Sequence, residues 1–124
     1  MATSFGITDG EAARVARVAA EDVLIGYADA LDRGDFEAWA EMFSDHGSYR
    51  LAPRINAERG LPIALMSCAS KAWAQDRAAA ILHASLYSPH CYRHFYANLA
   101  VRPLEAGRVR ARCNYAVYRT VSDG

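Results

Sequence analysis

The sequence predicts an α+β fold in which helices come first and an antiparallel hairpin comes last. Helical spacing with capping residues fills the first third, whereas the last third is rich in aromatic and β-branched residues on both sides of a Glu105-Ala106-Gly107 turn. Of the 124 residues, 52% are hydrophobic and 23% are charged, which is enough apolar material for one buried core. We therefore expect residues 1–124 to form a single α+β domain.

Charge and composition argue against several classes of function. The 14 basic residues balance 14 acidic residues, so the chain as a whole offers no broad electrostatic attraction for nucleic acid or an anionic membrane. No apolar run approaches the ~20 residues that span a bilayer, and residues 1–10 lack the basic and apolar segments of a signal peptide. The 3 cysteines are odd in number and widely spaced, which argues against a disulfide framework, and we expect a cytoplasmic protein.

The first helix is predicted from its ends and from its spacing. Thr8 with Glu11 forms a capping-box pattern, Asp9 is a second candidate cap, and Gly34 is placed to end the helix. The apolar stripe is incomplete, because carboxylates lie along its edge. One helical row carries Val15, Val18, Asp22, Ile25, Asp29 and Asp32.

The middle of the chain predicts shorter elements. Asp35 can cap a second helix whose apolar side is Phe36, Trp39, Ala40 and Phe43. Residues 48–51 predict a short strand, residues 52–60 a loop because of their proline and glycine breakers, and residues 61–67 an edge strand. Ser70 can cap a helix over residues 71–83.

The last third predicts a hairpin of residues 92–101 and 108–121. If Pro103 opposes Val109, the period of two sorts the side chains onto two faces. One face carries Phe95, Ala97, Leu99, Val101, Val109, Ala111, Cys113, Tyr115 and Val117. The other carries Tyr92, His94, Tyr96, Asn98, Asn114, Ala116, Tyr118 and Thr120, with Arg102, Arg110 and Arg112 toward the turn.

Metal and nucleotide chemistry find little support in the sequence. His90, Cys91 and His94 cluster locally, but the spacing is not that of a zinc site and alternation would point Cys91 and His94 to opposite faces. The two pairs that hold a Rieske cluster, Cys-x-His and Cys-x-x-His, do not occur together in the chain. A glycine-rich phosphate loop and a Gly-x-Ser-x-Gly elbow are also missing from the sequence. We expect no metal ligands and no cofactor-binding residues here.

A carboxylate–histidine pair is the serious catalytic candidate. Asp29 or Asp32 at the end of the first helix could meet His94 on the first hairpin strand, and Tyr49 could add a phenol. Such a trio can move protons, because the carboxylate orients the imidazole and the tyrosine polarises a carbonyl or holds a water. The alternative is structural: Asp32 solvates the helix end and His94 is a hydrogen-bonded core residue.

Arginines near the turn and an apolar sheet face predict contacts with other molecules. Arg102, Arg110 and Arg112 could clamp an anionic ligand, although such a row is more often a solvated or interfacial strand face. So few helices can cover only one face of the sheet. A second apolar face would then be an oligomer interface.

Several segments together resemble a known family. Tyr27-Ala28-Asp29, residues 31–36 (LDRGDF), Trp39, Phe43 and a strand with Tyr49 resemble the opening of the nuclear-transport-factor-like, SnoaL-like superfamily of cystatin-like α+β cones. Residues 59–66 (RGLPIALM), Asp76-Arg77, residues 92–95 (YRHF), Asn98 and Val101 are similar to small (β) subunits of aromatic-ring-hydroxylating dioxygenases. Among these, the pattern most resembles members that act with aromatic carboxylates, such as the terephthalate and anthranilate types.

This resemblance implies a structural role beside a catalytic partner. In the family the large (α) subunit carries the Rieske 2Fe–2S cluster and a mononuclear iron, and three large and three small chains assemble. The whole enzyme inserts dioxygen into an arene to give a cis-dihydrodiol, with electrons from NADH through a reductase. The resemblance therefore implies a large-subunit partner, self-association as a trimer or other homo-oligomer, and no catalytic residue on this chain. The large subunit would select the aromatic substrate.

Two other functions remain open within the same superfamily. A stand-alone dehydratase or isomerase resembling scytalone dehydratase would use Asp32, Tyr49 and His94, but Arg119 falls near the place of that enzyme's second histidine. A plain ligand-binding module is the other possibility. Family members also run longer, with further strands after the hairpin, so we expect a cone without its last strands. The edge beside residues 108–121 would then be exposed, which predicts self-association or missing sequence.

Overall fold

Helices and short antiparallel sheets build the fold. The computed structural model describes residues 10–62, 64–85 and 90–121, and within them it contains four helices and four strands. In chain order these are α1 (Glu11–Asp32), α2 (Phe36–Glu41), β1 (Tyr49–Leu51), α3 (Arg54–Glu58), β2 (Met66–Cys68), α4 (Lys71–Ser85), β3 (His90–Pro103) and β4 (Val109–Val121). β1 pairs with β2 and β3 pairs with β4. The predicted α+β class is confirmed.

A glycine and two capping side chains set the predicted helix boundaries. Gly34 follows α1 with φ 72°, a left-handed conformation that a glycine adopts without steric cost. The Asp35 carboxylate accepts a hydrogen bond from the Ala38 N–H at 3.0 Å, and the Ser70 hydroxyl accepts one from the Trp73 N–H at 3.4 Å. The proposed caps Thr8 and Asp9 lie outside the described residues.

Two predictions in the middle of the chain are wrong in detail. Residues 52–60 contain α3 rather than a continuous loop, because Pro53 stands at the helix N-cap, where its missing N–H costs nothing. The strand expected over residues 61–67 is displaced to β2, which lies antiparallel to β1 with Tyr49 opposite Cys68 and Leu51 opposite Met66. Pro53 and Gly60 do interrupt the strands, as predicted, but the residues between them form the short helix α3.

The described chain divides into two compact units. One contains α1 and the hairpin β3–β4, and the other contains α2, β1, α3, β2 and α4. That residues 1–124 form a single domain stays a prediction. No helix among the described residues combines the length and apolar character that a membrane span needs.

An aromatic cluster forms the core of the α2–α4 unit. Trp39 is 2% exposed, and its ring lies edge-on to Phe43 at 5.0 Å and to Tyr49 at 5.6 Å. α2 packs on α4, where Ala74 and Ala78 are one helical turn apart and both buried. These small side chains leave room for the helices to approach closely.

A polar contact also links α2 to α4. Lys71 Nζ donates to Glu41 at 3.1 Å, and Gln75 Nε2 donates to the other oxygen of the same carboxylate at 3.1 Å. Both hydrogen bonds lower the pKa of the Glu41 carboxyl below its ordinary value, and the one from Lys71 has the larger effect. The Glu41 side chain is exposed, so this contact orients α2 relative to α4 and contributes little to the free energy of unfolding.

In the other unit, α1 runs antiparallel to β3. The Arg17 guanidinium near the start of α1 donates to the Leu99 carbonyl at 3.0 Å, and Asp32 at its end accepts from the His94 N–H. Ala16, Ala30 and Val101 are buried. The inward helical row is therefore not the predicted one, since Val15, Val18 and Ile25 are 57–66% exposed.

A residue with positive φ in the middle of β3 changes which side chains share a face. Asn98 has φ 57°, the left-handed conformation of a β-bulge residue, which asparagine tolerates better than most side chains. Phe95 and Tyr118, predicted on opposite faces, have their rings 5.6 Å apart. The predicted sorting is wrong for the part of β3 before Asn98, because a one-residue bulge moves every preceding side chain to the other face.

The turn end of the hairpin keeps the predicted register. The Leu104 N–H donates to the Arg108 carbonyl at 2.7 Å, and the Arg108 N–H donates to the Glu105 carbonyl at 3.2 Å. Leu104 and Glu105 thus both oppose Arg108, and counting outward places Pro103 opposite Val109. Ala106 and Gly107 both have positive φ, as a tight hairpin turn requires.

Truncating one tryptophan at a time tests the core assignment. We expect Trp39→Ala to lower the free energy of unfolding by about 3–5 kcal/mol, because a buried indole leaves a cavity. Trp73→Ala is the matched control, since Trp73 is 58% exposed, and it should change stability by less than about 1 kcal/mol. Urea unfolding followed by far-UV circular dichroism measures both, and equal losses would contradict the assignment.

Candidate functional site

The carboxylate of Asp32 holds His94 by both its backbone and its ring. Asp32 Oδ1 accepts from the His94 N–H at 3.0 Å and lies 2.6 Å from His94 Nδ1, while Oδ2 lies 3.2 Å from the same N–H. The side chains are 19% and 14% exposed. Of the two candidate carboxylates, the structure therefore selects Asp32 as the partner of His94. Asp29 instead pairs with Arg33 at 2.9 Å on the surface.

Local sequence explains why this pair forms. α1 ends at Asp32 because Gly34 adopts a left-handed conformation two residues later, so the carboxylate is placed in the last helical turn. Alternation along β3 leaves Tyr92, His94 and Tyr96 partly buried, while Arg93, Phe95 and Ala97 between them are exposed. His94 therefore belongs to the more protected face of β3, and Asp32 lies in α1 of the same unit.

The hydrogen bond fixes what the imidazole can do. An ionised Asp32 carboxylate only accepts hydrogen bonds, so the proton of the short contact resides on His94 Nδ1. The remaining nitrogen, Nε2, is then the atom that can accept or donate a proton to another molecule. A carboxylate that orients a histidine in this way is the standard arrangement of a general acid–base pair, and equally of a buried structural histidine.

A groove of about 460 Å³ lies beside this pair, within the same unit. α1 contributes Arg17, Glu21, Leu24, Ile25 and Ala28 to its lining, and β3 contributes residues 94–99, including His94. The walls are mostly apolar, and Arg17, Glu21, His94 and Asn98 are the polar exceptions. This composition is typical of small-molecule sites, in which a few polar groups orient a largely apolar ligand.

Tyr49, the third residue of the predicted trio, lies in the other unit. Its ring packs 5.6 Å from Trp39 and 6.4 Å from Phe43. The structure thus brings together two of the three predicted residues, Asp32 and His94. A catalytic role for Tyr49 stays a prediction.

The described residues offer no group of three or more His, Cys, Asp or Glu side chains that could hold a metal ion. Cys91 and His94 do have the Cys-x-x-His spacing, but Cys91 is exposed whereas His94 is held by Asp32. Cys68, Cys91 and Cys113 are free cysteines. The donor set of the described residues therefore fits neither a Rieske cluster nor a mononuclear iron site.

Sequence reasoning missed three polar residues of the groove, Arg17, Glu21 and Asn98. Arg17 lines it and anchors the helix to β3, and Asn98 lines it at the bulge. A signal for Arg17 existed, because Arg17, Glu21, Leu24 and Ala28 follow one row of helical spacing that leads to Asp32. The row mixes polar and apolar side chains, so a search for an apolar stripe passes over it.

Comparison with known proteins decides the family. A profile of the SnoaL-like domain matches residues 13–124. The chain belongs to the SnoaL-like family. The structure of this SnoaL-like chain superposes with a TM-score of 0.81 on the beta subunit of a protein classed as an aromatic-ring-hydroxylating dioxygenase from Novosphingobium aromaticivorans, with 34% sequence identity over 92% of this chain and 72% of that one.

Curated relatives of the SnoaL-like chain belong to the same group. It is 35% identical over 98 residues to the anthranilate 1,2-dioxygenase small subunit of Burkholderia cepacia, and 26% identical over 98 residues to a terephthalate 1,2-dioxygenase beta subunit of Comamonas. These alignments cover 79% of this chain but 61% and 64% of the relatives. The chain therefore spans less than two-thirds of their length. The resemblance to dioxygenase small subunits is confirmed.

A more distant structure supports the fold alone. The beta subunit of benzoate 1,2-dioxygenase from Burkholderia mallei superposes with a TM-score of 0.72 over 86% of this chain and 70% of that one, at 14% identity. The two chains thus have the same fold although few of their residues are identical.

Removing the Asp32 carboxylate tests its structural contribution. Asp32→Ala deletes the acceptor of the His94 N–H and ring hydrogen bonds, and we expect the free energy of unfolding to fall by about 2–3 kcal/mol. Asp29→Ala is the matched control three residues earlier on the same helix. Its pair with Arg33 is exposed, so the expected loss is about 0.5 kcal/mol or less. Urea unfolding measures both, and a similar small loss in the two variants would contradict the assigned role.

Proposed function

We propose that this chain is the small structural subunit of an aromatic-ring-hydroxylating (Rieske non-haem iron) dioxygenase. The observation that carries this proposal is the 34% identity and 0.81 TM-score with a beta subunit of that class, over 92% of the chain. The 35% identity with the anthranilate 1,2-dioxygenase small subunit supports it from sequence alone. The relatives that match include anthranilate and terephthalate dioxygenase subunits, which favours an aromatic carboxylate as the substrate of the whole enzyme.

In this function the chain supports a large subunit rather than performing the chemistry. The Rieske 2Fe–2S cluster and the mononuclear iron would reside on the large subunit, where they supply electron transfer and dioxygen insertion into the ring. The assembled enzyme would convert an arene to a cis-dihydrodiol with electrons from NADH through a reductase. The small subunit would contribute binding surface and rigidity, with Asp32 and His94 as structural residues.

Self-association belongs to the same proposal. Tyr115 and Val117 on one face of β4 are 61% and 43% exposed, and apolar surface of this kind favours burial in an assembly. A trimer of small subunits in contact with three large subunits satisfies that preference. We place the complex in the cytoplasm, where its NADH-linked electron supply and the free cysteines are compatible with a reducing environment.

Co-purification tests the subunit proposal. The tagged chain is co-expressed with a candidate Rieske-iron large subunit, and both proteins should elute together in a fixed ratio with the visible absorbance of a 2Fe–2S cluster. Omitting the small subunit should lower the yield of assembled, active large subunit. The proposal is contradicted if the chain elutes alone and the large subunit assembles with full activity without it.

The Asp32–His94 hydrogen bond favours a second candidate, a stand-alone dehydratase or isomerase. The 2.6 Å contact leaves His94 Nε2 as a proton carrier, and His94 lines a groove large enough for a small substrate. Proton abstraction beside a carbonyl, followed by loss of a hydroxyl as water, is the reaction class that such a pair performs.

A hydroxy-ketone dehydration assay with two variants distinguishes this second candidate. Under it, His94→Ala should lower kcat by about 100-fold or more. Asp29→Ala should retain full activity, because that carboxylate pairs with Arg33 on the surface. Failure of the wild-type chain to turn over any member of a hydroxy-ketone panel, or equal turnover by His94→Ala, would reject the dehydratase function.

A further inference from the structure

Positive charge is concentrated on the β3–β4 hairpin although the chain as a whole is neutral. Residues 90–121 contain 6 of the 14 basic residues and 1 of the 14 acidic residues, all 6 basic ones being arginine. The remaining helices and short strands are therefore acidic in balance. Such a division of charge within one small chain favours an electrostatic contact through the hairpin.

The hairpin register places four of these arginines on one face at the turn end. Because Pro103 opposes Val109, Arg102 lies directly opposite Arg110. Arg108, Arg110 and Arg112 alternate along the second strand, so they share that face. We call these four residues, Arg102, Arg108, Arg110 and Arg112, the arginine cluster. Buried Val101 belongs to the opposite face.

Arg102 and Arg110 face each other across the two strands of the hairpin. Side chains directly opposite across two strands have their Cβ atoms about 5 Å apart, and like charges at that position destabilise the sheet. Arg108, Arg110 and Arg112 are all exposed, and Glu105 in the turn is the single carboxylate of residues 90–121. A carboxylate-rich surface is the electrostatic complement of this concentration of positive charge.

The same face continues into aromatic surface beyond the bulge. Asn98 switches the alternation, so Phe95 joins Tyr118 on the arginine side, and these rings are 57% and 64% exposed. At the turn end, a depression of about 570 Å³ is lined by residues that include Arg102, Glu105 and Arg108. Arginine and tyrosine are the residue types that most often dominate binding energy at protein interfaces.

We propose that the arginine cluster, continued by Phe95 and Tyr118, docks on a carboxylate-rich surface of the large dioxygenase subunit. This inference rests on the proposed subunit function and adds the surface and its chemistry. A symmetric contact with a second copy is disfavoured, because it would place one arginine cluster against another. Bidentate guanidinium–carboxylate contacts at the turn end would orient the chain, and the aromatic end would bury apolar area.

Charge reversal on the hairpin tests the docking surface in the co-expressed complex. Arg110→Glu and Arg112→Glu should each weaken binding of the large subunit about tenfold or more at low salt, and the double variant should lose most of the salt dependence. Arg110→Lys keeps the charge and should retain most of the affinity. Arg54→Glu is the matched control, because Arg54 is an exposed arginine on α3 in the other unit. Far-UV circular dichroism verifies that each variant is folded.

The outcomes separate this inference from the subunit function. If wild type binds the large subunit and the two reversal variants bind equally well with unchanged salt dependence, the docking surface is wrong and the subunit function stands. If wild type binds no large subunit, both are overturned. Size-exclusion chromatography of the chain alone provides the third arm. Loss of a homo-oligomer in Arg110→Glu, with large-subunit binding intact, would assign the face to a second copy and reject the large subunit as its occupant.

Discussion

The arrangement of α1 and the β3–β4 hairpin depends on the hydrogen bonds that the Asp32 carboxylate accepts from His94. This carboxylate lies at the last residue of a 22-residue helix and satisfies a backbone donor and a ring donor of His94, 62 residues away in sequence. A single side chain thereby fixes where α1 ends relative to β3 and which way the imidazole faces. Arg17 secures the other end of the helix through the Leu99 carbonyl. Between these two anchors the helix cannot slide along the strand, and a groove can persist there.

The bulge at Asn98 lets one hairpin serve two purposes. Without it, the period of two would put Phe95 and Val101 on the same face along the whole strand. With it, Val101 is buried while Phe95 turns outward to Tyr118. The inner face can therefore carry His94 and the groove, and the outer face can carry arginines and aromatic side chains. A left-handed residue costs some backbone strain, and asparagine keeps that cost small.

Features set by residues close in sequence could be predicted, whereas those that depend on contacts between distant parts of the chain could not. Gly34, Asp35 and Ser70 were sufficient to place helix ends, because caps act within a few residues. The Pro103–Val109 register followed from the turn. The inward row of α1 was not predictable from apolar spacing, because its buried residues include the small Ala16 and the partly buried Arg17 lies beside it. The position of the bulge at Asn98 likewise cannot be recognised from the alternation of apolar and polar residues in the sequence. For the site, residue types suggested His94 with either of two aspartates, and only the helix geometry distinguishes Asp32 from Asp29.

An Asp–His pair beside a groove and a membership among dioxygenase small subunits are compatible. A carboxylate that accepts both a backbone N–H and an imidazole N–H joins a helix to a strand whether or not Nε2 ever meets a substrate. In the proposed subunit function a partner performs the chemistry, so the pair is not needed for catalysis but is still needed to join α1 to β3. The pair then does structural work, while the proposed docking surface lies on the outer face of the same hairpin.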